Sequence, residues 1–371
     1  MTASPLPRDC PANLETRILD RLADLGARYD AAPNFPSESM ALLRESGLLR
    51  RYAPAEAGGD QFASVEDRFR SMMDDLRLVG RGDLSVGRLF EGHLNAMELF
   101  AWYGRPEQID ELRADLTAGA VYGVWATEPT PGVFMEVRDE GSVLTGSKSF
   151  ATGAGGIGYA LITAKEGADR RLVIVPADVR SRADLSGWRV RGMRATGSGL
   201  YDLSGIAVDR RMLLGEPGDY DREPRFTAGA WRFTAVQLGG IEALVIEIRR
   251  AMSQVARKDP LQRAKFADAV VFARTAYMWV KESGLRAIRQ DQDAPAFALM
   301  TRGVVERAGL KVIELAARII GTRSAFDGER IDKISRDLSL YLRQAGPDYA
   351  KDRAAAAWLD HDAWGQDDRL W

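Results

Sequence analysis

KSFATGAGGIGYALITA, residues Lys148 to Ala164, contains the spacing Gly153-x-Gly155-x-x-Gly158. As a pattern this is the dinucleotide fingerprint. Its mechanism demands a helix straight after the glycines, because the helix N-terminus receives the pyrophosphate. The residues that follow are Tyr159-Ala-Leu-Ile-Thr-Ala164, a β-branched and aromatic run that closes near Lys165-Glu-Gly-Ala-Asp169. That run reads as a strand, and a second strand follows at Arg171-Leu-Val-Ile-Val-Pro176. Strand, glycine loop, strand, turn, strand is the order of an antiparallel β region. It argues against a Rossmann turn.

Outward from this stretch the texture changes on both sides. From about Leu14 to Ala118 the apolar residues recur at helical spacing, as in Leu14, Ile18, Leu19, Leu22 and Leu25. Phe35 to Gly47 and Pro106 to Leu116 carry entry signals of helices. From about Val121 to Leu214, strands are expected at Val121–Ala126, Ser142–Ser149, Tyr159–Ala164, Arg171–Val175, Trp188–Arg191 and Leu200–Val208. From Thr227 onward, long periodic segments at Phe233–Val255, Pro260–Arg289, Pro295–Ile320 and Arg330–Gln344 predict a helical bundle. The expected domains are residues 1–119 (helical), 120–217 (β) and 218–371 (helical bundle).

Composition narrows the function. The 371 residues carry 51 Lys+Arg against 53 Asp+Glu, a balance that gives no ground for a nucleic-acid partner. One cysteine, Cys10, and two histidines, His93 and His361, are too few for a metal cluster. No apolar run reaches the roughly 18 residues of a membrane span. The first residues lack the apolar core of a signal peptide. The expected location is the cytoplasm.

The three-part order, with particular words at its joints, resembles the acyl-CoA dehydrogenase superfamily of flavoproteins. Those words are RPEQIDELRADLTAG (Arg105–Gly119), Thr127-Glu-Pro129 followed by Gly132, LTGSKSFAT (Leu144–Thr152), MRATGSGLYDLSGIAVD (Met193–Asp209) and ERIDKISRDL (Glu329–Leu338). The resemblance covers nearly the whole chain. It implies an N-terminal α-helical domain, a middle antiparallel β domain and a C-terminal four-helix bundle. It also implies bound FAD and a homodimer or homotetramer. Phe150 and Thr152 would lie against the flavin, Phe150 standing where the family usually has tryptophan. A flavin ring needs a flat apolar face and hydrogen-bonding groups at its polar edge. Thr127 and the backbone of Ala126 would meet that edge. Arg257, Arg318 and Gly321 would reach a neighbouring subunit's FAD. Here the family's Arg-x-x-Phe-Gly becomes Arg257-Lys-Asp-Pro-Leu261, and its usual glutamine becomes Arg318.

A family dehydrogenase removes the α-proton of an acyl thioester with a glutamate while hydride passes to the flavin, so the base must sit within reach of the α-carbon. Counted from Arg336-Asp337, the usual glutamate position is Ala345, and the alternative position on the first bundle helix is Trp231. Neither takes a proton. Three readings follow. The first is oxidation of the CH–CH group of an acyl-thioester substrate such as an acyl-CoA, with a relocated base (Glu128, Glu242 or Asp348) and an electron-transferring flavoprotein as acceptor. The second is a flavin-dependent monooxygenase fed by a flavin reductase, in which His93, Gln344 or Arg343 contributes polar groups. The third is a non-catalytic flavin-binding scaffold. The words sit slightly nearer the first.

Overall fold

The computed structural model describes residues 11–138, 141–344 and 346–360. Six helices come first: α1 (Pro11–Ala31), α2 (Ser37–Glu45), α3 (Leu48–Arg51), α4 (Val65–Gly82), α5 (Leu84–Tyr103) and α6 (Pro106–Ala118). Ten strands follow: β1 (Tyr122–Trp125), β2 (Phe134–Arg138), β3 (Gly141–Thr145), β4 (Ser147–Ala151), β5 (Tyr159–Glu166), β6 (Asp169–Pro176), β7 (Ala183–Asp184), β8 (Gly199–Asp202), β9 (Ala207–Val208) and β10 (Leu213–Leu214). The chain then returns to helix: α7 (Arg225–Ala228), α8 (Trp231–Ala251), α9 (Gln254–Lys258), α10 (Pro260–Arg289), α11 (Ala294–Ile320), α12 (Arg330–Tyr341) and α13 (Pro347–Asp360).

Local chemistry starts these helices. The Ser64 hydroxyl accepts the Asp67 amide at 3.0 Å and opens α4. The Asp83 carboxylate accepts the Val86 amide at 2.9 Å and opens α5. Each bond satisfies an N-terminal amide that the helix leaves unpaired. Helices α8, α10 and α11 pack on one another, and α4 lies along α8. Glycine lets α4 and α8 approach so closely. A Cβ on Gly80 would stand 2.4 Å from the Val236 carbonyl oxygen, and one on Gly239 would stand 2.5 Å from that of Arg77.

The β region is two sheets. The larger runs β10-β6-β5-β2-β3-β9, with β1 also paired to β5; the smaller is β4-β8-β7. The expectation of a wholly antiparallel domain needs correction, since β1 and β2 each pair with β5 in parallel. The expected strand Ser142–Ser149 is also two strands, one in each sheet. Trp188–Arg191 is not a strand, because the Trp188 amide and indole close turns onto Leu185 and Met193. The sequence reading missed β2. After Gly153, Gly155 and Gly158 comes β5, not a helix.

A buried ionic lock joins these layers. The Lys333 ammonium lies 2.7 Å from Asp83 and 2.6 Å from Asp337. Asp337 also accepts the Met193 amide at 2.5 Å. Arg336 binds Asp30 at 2.7 Å and donates to the Arg191 carbonyl at 2.6 Å. The Arg-Asp word therefore clamps the β region onto the helices.

Candidate functional site

A cavity of about 720 Å³ opens where β4, α5, α8 and α12 meet. Its β wall is made of Ala126, Thr127, Ser149, Phe150 and Thr152. Strand β4 carries a bulge between Lys148 and Ala151, and Phe150 sits within it at φ +51°. That left-handed backbone is strained for a bulky side chain, and such strain concentrates at functional sites. Its effect is visible: the Phe150 ring is 67% exposed, presented to the cavity rather than packed in the core.

Behind this wall the support is rigid. The Trp125 indole donates to the Thr152 carbonyl at 3.0 Å. The Thr152 and Ser198 hydroxyls are 3.2 Å apart, those of Ser198 and Thr196 are 3.0 Å apart, and Thr196 donates to the Met193 carbonyl at 2.9 Å. The wall therefore offers a planar apolar face beside hydroxyl and backbone groups. That is the donor set a flavin ring requires, so the residues present fit one. The candidates Ala126, Thr127, Phe150 and Thr152 all line this one surface.

The opposite wall was not foreseen. On α5, Arg88, Glu91 and Asn95 share one face at spacings of three and four. Arg88 is ion-paired to Glu91, whose other oxygen accepts the Asn95 amide at 2.5 Å. The Asn95 carbonyl oxygen accepts Arg232 Nε at 2.5 Å. Arg232 is 8% exposed, and burial pulls its guanidinium below the usual range. Tyr341, at the end of α12, is 2% exposed, and its hydroxyl has no hydrogen-bond partner among the described residues. Burial holds that phenol well above its ordinary pKa, so it stays protonated. A polar residue every turn on the otherwise apolar stretch Val86–Leu99 was the available sequence signal.

The proposed bases lie elsewhere. Glu128 binds the buried Lys148 ammonium, which also reaches the Thr163 hydroxyl at 3.0 Å; neither Glu128 nor Lys148 lines the cavity. Glu242 pairs with Arg77 at 2.7 Å and joins α8 to α4. Asp348 is exposed and faces Lys351 at 3.2 Å. His93 is fully buried, 2.6 Å from the Leu49 carbonyl through Nε2, and accepts the Tyr122 amide at Nδ1. Its ring is neutral, with burial lowering its pKa to about 4, and it belongs to the core. Trp231 packs edge-on against Phe69 with centroids 5.2 Å apart, while Arg232, one residue on, reaches the cavity. Gln344 and Arg343 do line the cavity. Ala345, Cys10 and His361 lie outside the described residues.

The residues expected to touch a neighbouring subunit's FAD are also outside this wall. Arg257 folds back on its own chain, donating to the carbonyls of Arg249 and Met252, the latter at 3.0 Å. Arg318 pairs with Glu314 at 2.6 Å, and Gly321 ends α11 at φ +73°. Among the described residues no helix is long and apolar enough to cross a membrane, and no cluster of metal-ligating side chains occurs.

No family model matches the chain. A dibenzothiophene monooxygenase of Mycolicibacterium goodii is 26% identical over 223 residues, 57% of this chain and only 51% of that protein. The putative acyl-CoA dehydrogenase YdbM of Bacillus subtilis (strain 168) is 24% identical over 365 residues, 90% of this chain and 92% of that protein. Among solved structures, FMN-bound TdsC from Paenibacillus sp. A11-2 superposes with a TM-score of 0.83 at 19% identity, covering 94% of this chain and 96% of that one. The glutaryl-CoA dehydrogenase–glutaryl-CoA complex superposes at 0.82 with 16% identity, covering 97% of each. The chain has the acyl-CoA dehydrogenase fold.

Proposed function

We propose that this chain is a flavin-dependent monooxygenase, working with a reductase that supplies reduced flavin and acting on a small molecule held in the cavity. One observation carries the reading. Among the described residues of the cavity wall the only carboxylate is Glu91, bound by Arg88 on one side and Asn95 on the other. Both usual base positions are occupied by Ala345 and Trp231. Dehydrogenation requires an unencumbered base within reach of the α-carbon. Oxygenation does not: one atom of dioxygen enters the substrate and the other leaves as water, with two electrons from reduced flavin.

A bound flavin would supply that redox chemistry. The chain's own residues position and shield it. Phe150 and the backbone at Ala126 and Thr127 would hold the ring, with Thr152 at its polar edge. Trp125 and Trp188 add apolar lining to the cavity, while the donors of Arg88 and Asn95 are taken by Glu91. FAD, implied by the resemblance, and FMN, bound in the TdsC structure, share the ring this wall fits. We further propose a homodimer or homotetramer in which Arg257, Arg318 and Gly321 approach a neighbour's cofactor. Exposed Val271, Met278 and Leu310 on α10 and α11 support such contacts.

Acyl-thioester oxidation is the second reading, favoured by the likeness to the putative acyl-CoA dehydrogenase YdbM over 90% of this chain and 92% of that protein; an electron-transferring flavoprotein would then accept the electrons. To separate the two, the protein is given reduced flavin, isotopically labelled dioxygen and a panel of small aromatic and sulfur-containing compounds. Label in a product supports oxygenation. Absence of label from every product, together with flavin reduction by an acyl-CoA, would replace it with dehydrogenation.

A further inference from the structure

The cavity is strongly biased in charge. Its wall holds Arg88, Arg225, Arg232, Arg302, Arg343 and Arg353 against the single carboxylate of Glu91. Surface arginines at a cavity mouth mean little, so the buried ones decide. Arg88 is neutralised by Glu91. Arg232 has no such direct pair: its Nε goes to the neutral Asn95, and Glu98 and Glu91 act on it only through space, with no described carboxylate in salt-bridge distance. Burying a guanidinium without a directly paired carboxylate is costly, and a bound anion would lower that cost. Tyr341 is also on this wall, and its buried hydroxyl has no partner among the described residues. Gln237 donates to the Tyr341 backbone carbonyl at 2.9 Å and ties this end of α12 to α8. A phenol hydroxyl without a partner and a guanidinium fork without a direct ion pair, both on one wall, are donors suited to an oxyanion.

We propose that the inner end of the cavity is an anion subsite, in which Arg232 and Tyr341 receive the carboxylate or sulfonate of the substrate. Trp102, Trp188, Phe226 and Phe233 line the same space and select a flat, apolar body behind that charge. The substrate class is therefore a small aromatic acid. This rests on the flavin reading only for the direction in which the substrate's other end points. The anion site itself is a property of the chain.

Calorimetric titration tests it, on protein with and without reconstituted flavin, using benzoate, benzenesulfonate and the neutral isostere benzamide. Benzoate and benzenesulfonate should bind about tenfold or more tighter than benzamide, the value of charge-assisted hydrogen bonds. Arg232→Gln should erase that preference. Tyr341→Phe, which keeps the packing, should reduce it several-fold, so the test stands even if the Arg232 variant folds poorly. Equal binding of benzoate and benzamide to the unmodified protein would overturn the proposal. So would an Arg232→Gln protein that loses flavin yet keeps the benzoate preference, because the arginine would then serve a flavin phosphate. If no flavin is retained but the acid preference stands, the flavin reading fails and the anion site survives.

Discussion

Replacing Lys333 by methionine removes the cation between two carboxylates, Asp83 and Asp337, each with a side chain 2% exposed. The shape is nearly kept and the charge is lost. Breaking a buried ionic group by removing one partner costs about 3–5 kcal/mol. For a chain of this length the unfolding entropy is about 0.8 kcal/mol/K, so Tm should fall by about 4–6 °C. The pH dependence has a definite sign. Burial already pushes the Asp337 carboxyl up, and Lys333 pulls against it. Without Lys333 the Asp337 carboxyl, already raised by burial, is raised further in the fold, whereas in the unfolded chain it releases its proton above about pH 4. Over the window between those values the folded state binds more protons, so the variant loses stability as pH rises. Thermal melts followed by circular dichroism should show a smaller deficit near about pH 5 than near about pH 8. A deficit under about 1 °C, or one that grows on acidification, would refute the buried-lock reasoning.

Phe150→Ala should weaken flavin binding by about tenfold while Tm stays nearly constant, because a ring this exposed adds little to the core; flavin fluorescence and melts on the same samples check both halves. His93, whose pKa falls to about 4 through burial, is neutral in the fold while the unfolded chain protonates near about pH 6.5. Stability is therefore lost as pH drops through that interval, by about 3 kcal/mol at its lower end, and His93→Gln should flatten that slope in pH-dependent melts. Arg257→Ala removes two hydrogen bonds to the carbonyls that end α8 and should cost about 1 kcal/mol. A fall in flavin retention beyond that small loss, measured by absorbance ratio after gel filtration, would mark a contact with a neighbouring subunit.

The helices were legible because their residues obey one rule over many turns. Pro260–Arg289 coincides with α10 end to end, with Asp259 accepting the Leu261 amide at 2.8 Å. The β region was harder. Run Ser142–Ser149 looks like one strand, yet Gly146 at φ +101° splits it between two sheets, and only the three-dimensional pairing reveals the parallel partners of β5. At the site, the words around Thr127 and Phe150 pointed to one wall, since local sequence carries a strand and its bulge. Arg232 and Tyr341 share the cavity wall across more than a hundred residues of chain, and no local pattern announces that meeting. The carboxylates considered as bases lie off the cavity wall for the same reason. Glu128 and Glu242 already belong to lysine and arginine partners distant in sequence.

On the proposed reading, this cavity holds no unencumbered base for thioester oxidation among its described residues. Flavin-loaded protein is mixed without oxygen with short-, medium- and long-chain acyl-CoAs, and the oxidised flavin band is followed. The band should stay unchanged while the flavin stays bound. Bleaching by any acyl-CoA would contradict it and assign proton abstraction to Glu91 or to a residue outside the described cavity wall.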